Sequence, residues 1–311
     1  MILSPQDGRC LLELLPDHGG ACQRLCFTTP AGERIDILAG CSDAELAAGN
    51  PLYRGAWLYP FPSRLAKGRY AWQGNEYRFP LNAPDGESAL HGFLNQLTPQ
   101  IVAQAVGVDT AAITVQYQYD GARPEYPFPA EITVEYRLQS PAELHITMSV
   151  HNLHDTAVPV GVGWHPYFSL QGQVDALSLQ LPRGNLAVLD AQLLPTGATR
   201  PFLDFEKLSR IGEQTIDGSM KLGGQLPDRV AAQLWSGQRQ VGVALWQHAG
   251  LTGEGGYRHL QVFIPPDRRS IALEPVSCGV NAFNTGENLV TLAPGATARF
   301  DCGVTLLTSK P

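Results

Sequence analysis

Residues 113–119 read Ile-Thr-Val-Gln-Tyr-Gln-Tyr. Apolar side chains at Ile113, Val115, Tyr117 and Tyr119 alternate with polar ones at Thr114, Gln116 and Gln118. A period of two is the period of a strand with one buried face and one wet face. The same pattern runs through Ile132, Val134, Tyr136 and Leu138, and again through Leu144, Ile146, Met148 and Val150. Further strands are expected at 175–181, 240–246, 259–264, 270–276 and 296–307. Helical signals are few. Ser42 and Glu45 have capping-box spacing, and Gly49 stands where a left-handed glycine would end the helix. A further turn or two of helix is expected within 203–211. Strands do not alternate with helices as in βαβ units, so the fold expected is an all-β, mainly antiparallel β-sandwich. No repeat, low-complexity tract or linker divides the chain, and residues 1–311 read as a single domain.

Composition agrees with a large core. Hydrophobic residues make up 44% of the 311, charged ones only 16%, and 32 glycines with 24 prolines point to many turns. Lys and Arg number 22 against 29 Asp and Glu, a net charge of −7. That balance disfavours nucleic acid and anionic membrane as partners, since both demand basic patches. No apolar run reaches the ~18–20 residues of a membrane helix, and no signal peptide is visible. Six cysteines are too sparse for a disulfide scaffold. A reduced, cytoplasmic protein, monomer or homodimer, is the expectation.

Several motifs fail. There is no phosphate-binding GxxxxGK[ST] loop, and Gly161-Val162-Gly163 lacks the third glycine of a dinucleotide site. HExxH and GxSxG are absent. Cys22 and Cys26 lack a second close pair to complete a zinc site, and read better as buried small hydrophobes. His151 and His154 fit a loop better than a metal. No metal and no cofactor are expected.

Four segments place polar residues in apolar or aromatic company. In WLYPFPSRL, Arg64 follows a run of aromatics and prolines, either to donate to a ligand or to stack on surface rings. In ALHGF, His91 lies beside Gly92, which permits close backbone approach. In GWHPYFSL, His165 is flanked by Trp164, Tyr167 and Phe168, the company a sugar pocket needs, since a pyranose has apolar faces and polar edges; a structural His in an aromatic core is the alternative. In SIALEPVSCGVN, Ile271 and Leu273 point one way, Ala272 and Glu274 the other. A carboxylate there costs several kcal/mol unless it is paired or faces a cleft.

Taken together and in this order, the LHG, HPYF and LEP…N segments resemble the aldose 1-epimerase (galactose mutarotase) family, nearly end to end. The resemblance implies a large β-sandwich with a sugar cleft on one sheet, and interconversion of the α and β anomers of a free aldose without a cofactor. It implies Glu274 as general base, His165 as general acid and His91 as a second catalytic histidine near the ring oxygen. Arg64, Asp217 in TIDGSMKL and Gln261 in HLQVFIPPD are implied to bind the sugar. Family members often have Asn-Arg where this chain has Ser63-Arg64, and LHGG where Phe93 follows Gly92 here. These departures mark a divergent branch and leave the sugar open.

The chemistry needs one base for the anomeric hydroxyl and one acid for the ring oxygen. Glu274 and His165 are expected on opposite sides of a sugar-sized gap, with Glu274 ionised and His165 protonated around a pKa of about 6.5–7.5. Three other readings compete. A mutarotase for a hexose 6-phosphate would need a phosphate clamp, for which Lys67 and Arg69 lie close in sequence. A non-catalytic sugar-binding sandwich would not need Glu274 and His165 together. A glycoside hydrolase could pair Asp217 with Glu274 but leaves the histidines unexplained.

Overall fold

A computed structural model describes residues 1–223, 229–250 and 255–311 of the chain. The alternating segments form the centre of a nine-stranded sheet. Thr110–Tyr119, Ala130–Gln139 and Glu143–Asn152 lie side by side, followed by Thr297–Leu307, Val241–His248 and Arg229–Ser236. Every pairing in this sheet is antiparallel. Register follows the apolar period: Val115 faces Val134, which faces Met148 on the next strand. A one-residue slip would turn each of these side chains out of the core. All twelve apolar residues of the three runs are at most 4% exposed.

The second large sheet carries the site. In chain order its strands are β1 (Trp57–Leu58), β2 (Gly163–Trp164), β3 (Tyr167–Phe168), β4 (Gly184–Leu189), β5 (Pro195–Pro201), β6 (Asp217–Leu222), β7 (His259–Phe263) and β8 (Ile271–Val276). They lie in the order β5-β4-β6-β7-β8-β2-β1, with β3 also on β8. One face packs Met220, Leu260, Val262, Ile271 and Leu273 into the common hydrophobic core. A four-stranded sheet at the N-terminus, from Ile2–Leu3 to Arg34–Asp36, packs Leu12, Leu25 and Phe27 into that core.

Three local expectations can be compared directly. The helix at Asp43–Ala47 has Ser42 as N-cap, with both arms of the capping box formed to Glu45, and Gly49 follows at φ +79°. The segment 203–211 is not helical. Phe205 plugs the core through a turn, and Ser209–Arg210 pairs with Ser178–Leu179 at the sheet edge. The strand expected at 175–181 begins only at Ser178, because Val174–Ala176 forms a 3-10 turn and Asp175 is anchored by Arg268 Nε at 2.6 Å. All six cysteines are buried and unbridged, among them Cys22 and Cys26, which the sequence reads as small hydrophobes.

Candidate active site

The site is built by an interruption in a strand. Gly163 pairs with Val276, and Tyr167 pairs with Ala272. The same register continued between them sets His165 opposite Glu274. Pro166 has no N–H to give the ladder, so the strand breaks there and the imidazole stands on the outer face. His165 is fastened by its own backbone: its N–H donates to Ala56 O at 3.0 Å, and its carbonyl accepts from Gly55 N at 2.9 Å. Gln261 is the partner of Glu274 on the other side, and Ser219 is the partner of Gln261. A single row across the sheet therefore carries His165, Glu274, Gln261 and Ser219. Asp217 lies one step along β6, and Gln261 Nε2 donates to its Oδ1 at 2.9 Å.

The other two residues arrive from a small two-stranded sheet. Arg64–Ala66 pairs with Ser88–Leu90, so Arg64 lies beside Leu90 and His91 follows at the turn. Gly92 has φ +66°, and a Cβ there would sit 2.2 Å from Tyr59 O, so only glycine lets the turn close against that loop. Tyr53, Ser63, His91 and Asn281 all have φ near +60°, each at a cost of ~1–3 kcal/mol. Such strain gathers where the surrounding structure holds functional groups in place.

These elements enclose a pocket of about 170 Å³ whose walls include Arg64, His91, His165, Asp217, Gln261 and Glu274. All six residues singled out in the sequence thus converge. Tyr53, Tyr167 and Phe263 supply aromatic surface around them. His165 Nε2 and Glu274 Oε1 are 3.4 Å apart, and both residues are at most 5% exposed. They stand side by side on the pocket floor, which corrects the expectation of groups facing each other across a gap. The charge states differ as well. Burial holds the His165 imidazolium down to a pKa of about 3. Burial first, then the Asp217 carboxylate, pushes Glu274 well above 4.5. Burial therefore favours a neutral imidazole beside a protonated carboxyl, not the charged pair.

His91 is held in one tautomer. Ser63 N donates to its Nδ1 at 3.0 Å, so the neutral ring carries its proton on Nε2. Burial, with His165 and Arg64 nearby, keeps its pKa well below 6.5. Tyr53 packs on His91 with centroids 4.6 Å apart, and Tyr167 stacks on His165 at 5.1 Å. Arg54 lies over the ring of Tyr167 and is tied to Glu45 and Ser270. Arg64 Nη1 meets Asp85 Oδ2 at 2.9 Å.

Sequence reasoning overlooked Tyr53 and Phe263 as wall residues, the N–H of Ser63, and the work of Asn281. Asn281 N donates to Arg64 O at 2.9 Å, and its Oδ1 accepts from Ala66 N at 3.1 Å, so it clamps the strand bearing Arg64. The asparagine of LEP…N was the one available signal. Lys67 and Arg69 do not line the pocket; among the described residues Arg64 is the only Lys or Arg that does. No cluster of three His, Cys, Asp or Glu among the described residues could hold a metal ion.

Comparison with known proteins follows the same line. A sequence model described as Aldose 1-epimerase matches residues 6–305. The Escherichia coli K12 protein named Uncharacterized protein YihR is 29% identical over 245 residues, 78% of this chain and 75% of that one. Galactose mutarotase of Rattus norvegicus is 28% identical over 183 residues, 55% of this chain but 49% of the rat protein. Among solved structures, a galactose mutarotase-like protein from Clostridium acetobutylicum superposes with a TM-score of 0.83 at 19% identity, covering 97% of this chain and 93% of that one. The GalM/aldose epimerase homologue from C. elegans gives 0.83 at 18% identity, over 100% and 99%. At such identities the likeness of structure speaks for the fold.

Proposed function

The chain belongs to the aldose 1-epimerase family, and from that premise we propose that it interconverts the α and β anomers of a free aldose by opening and closing the ring. One observation carries the reading: the contact of 3.4 Å between His165 Nε2 and Glu274 Oε1 on the floor of a sugar-sized pocket. The anomeric hydroxyl and the ring oxygen are bonded to the same carbon. The group that takes a proton from one and the group that gives a proton to the other must therefore be close neighbours. A side-by-side pair meets that demand better than the facing arrangement expected from sequence.

The reaction moves protons and one C–O bond. Glu274 takes the proton of the anomeric hydroxyl while His165 gives one to the ring oxygen. The bond between the anomeric carbon and the ring oxygen breaks, and a carbonyl forms. Rotation about the adjacent C–C bond presents the other face, and the same two groups run the steps backward. The pair needs one proton between them. Burial places it on Glu274, and transfer across the contact moves it to His165 as the sugar binds. His91 offers Nε2–H as a neutral donor near the ring oxygen. Arg64, Asp217 and Gln261 bind sugar hydroxyls, and Tyr53, Tyr167 and Phe263 cover the apolar ring face.

A hexose 6-phosphate is disfavoured, because the one Arg of the wall already meets Asp85 and stands with Asp217. A non-catalytic binder has no use for a buried carboxyl against an imidazole. The deciding experiment is polarimetry on fresh α-glucose, α-galactose, α-arabinose and glucose 6-phosphate. Accelerated decay of rotation with a free aldose supports the reading; acceleration with none overturns it, and acceleration with the phosphate ester alone transfers it to phosphorylated sugars.

A further inference from the structure

Arg64 carries a full positive charge into the pocket, and its ion-pair partner among the described residues is Asp85, with Nη1 and Oδ2 2.9 Å apart. Asp85 is not part of the pocket lining, although its neighbour Pro84 is. The carboxylate thus takes one arm of the guanidinium from outside the lining and leaves Nε and Nη2 for a ligand. The two side chains are 14% and 35% exposed. An ion pair that wet adds little to stability. What it changes is the charge that the pocket presents.

The loop before Ser88 sets Asp85 in place. Asn82 bonds Leu90 on both sides: its Oδ1 accepts from Leu90 N at 2.6 Å, and its Nδ2 donates to Leu90 O at 3.1 Å. The same Nδ2 lies 3.0 Å from the hydroxyl of the wall residue Tyr53. Asn82 N and Ala83 N both donate to Ser88 O, at 3.2 and 3.1 Å, and Gly86 N donates to Ala83 O at 2.9 Å. Asp85 Oδ1 accepts from Glu87 N at 2.9 Å, so one carboxylate oxygen closes the turn while the other holds Arg64. Leu90 is the cross-strand partner of Arg64. Acid and guanidinium therefore stand on one small sheet, and their meeting is preset rather than a chance encounter of long side chains.

With Glu274 protonated and both histidines neutral, Arg64 and Asp217 are the charges of the lining named above. Asp85 tips that balance to one positive against two negative. An aldose that carries a carboxylate would have to part Arg64 from Asp85 and then lie near Asp217. Like charge set against the wrong ligand is a means of discrimination in its own right. Without Asp85 the same guanidinium could offer its two-pronged face to a carboxylate.

We propose that Asp85 is a specificity-determining residue: by holding Arg64 it reserves the pocket for uncharged aldoses and turns away uronates. This rests on the mutarotase reading and assigns the discrimination to a residue that reaches the sugar only through Arg64.

The test is polarimetry at neutral pH on freshly dissolved galactose and glucose beside galacturonate and glucuronate, with calorimetric titration of the same sugars. Wild type is compared with Asp85→Asn, which can still accept from Glu87 N, with Asp85→Ser as a second side chain suited to a turn, and with Asp85→Asn combined with Arg64→Gln. Wild type should favour each neutral sugar over its uronate in kcat/KM. Both single variants should raise the uronate-to-neutral ratio by about tenfold, and Arg64→Gln should cancel the rise. A merely structural Asp85 would change both sugars alike. If neutral sugars are turned over but the ratio stays at its wild-type value, or rises equally without Arg64, the assignment to Asp85 is overturned and the reaction stands. A wild type that prefers uronates overturns it too. If no sugar is turned over, the reaction fails, and calorimetry decides the role of Asp85: uronate binding that tightens in Asp85→Asn and is lost again with Arg64→Gln supports it, and binding that is absent or unaffected overturns it.

Discussion

A carboxyl and an imidazole 3.4 Å apart, both out of water, share protons as a unit. Adding a second proton means charging His165, which burial resists down to about 3. Removing the last means ionising Glu274, which burial resists well above 4.5. The working one-proton state occupies the interval between. The plateau of kcat/KM should therefore persist as pH falls through 6.5, and an acid limb centred at that ordinary histidine value would contradict the shared proton. Glu274→Gln removes the base while keeping the shape, so the rate should fall ~10²–10⁴-fold. Its stability carries a separate signature. In the folded chain Glu274 keeps its proton at pH values where the unfolded chain has lost it. It therefore contributes stability below pH 4.5 that drains away as pH rises toward the folded value. The Gln variant should match wild type in Tm near pH 4 and exceed it near pH 8. A Gln variant that melts lower at both would mean that Glu274 holds the fold together.

The short elements around the pocket are held by few bonds each, and one residue can loosen them. Asn281 clamps Arg64–Ala66 through its own N–H and its Oδ1. Asn281→Ala should raise KM severalfold with kcat nearly kept, because Arg64 loses its aim while Glu274 and His165 keep theirs. A purely structural asparagine would lower Tm and leave KM alone. Gly92→Ala forces a Cβ into Tyr59 O at a positive φ and should cost at least ~1–3 kcal/mol in urea unfolding. A variant as stable as wild type would show that the turn can relax away from that loop.

At the scale of the whole molecule, burial governs the cysteines. It pushes the thiols of Cys10, Cys22 and Cys278 up to about 12. All six should resist an aromatic disulfide reagent in the native state and react together on unfolding; a fast-reacting native thiol would contradict the packing. Much of this architecture was legible in the chain. The alternation at Ile113–Tyr119 and its neighbours reports a half-buried sheet, and Glu274 stands out because a lone carboxyl in an apolar strand needs a reason. The contact between His165 and Glu274 was not legible, because it depends on the register between strands far apart in sequence. Tyr53 and Phe263 were hidden for a different reason: an aromatic side chain looks the same whether it lines a pocket or fills a core. The turn at 203–211 was misread because tertiary packing of Phe205 decided it, not local propensity.

Trp57 and Trp164, stacked at 5.8 Å and both fully buried, mark the seam where β1 meets β2. That seam joins an early part of the chain to its middle, and β2 in turn meets β8 near the C-terminal end. The pocket thus closes only when three distant segments have found one another, and topology of this kind is slow to form. Each indole is then a clock for the same event. On dilution from denaturant, tryptophan emission should settle in step with the return of sugar turnover, and both should lag behind the far-UV signal of the hairpin-linked strands at Thr110–Asn152.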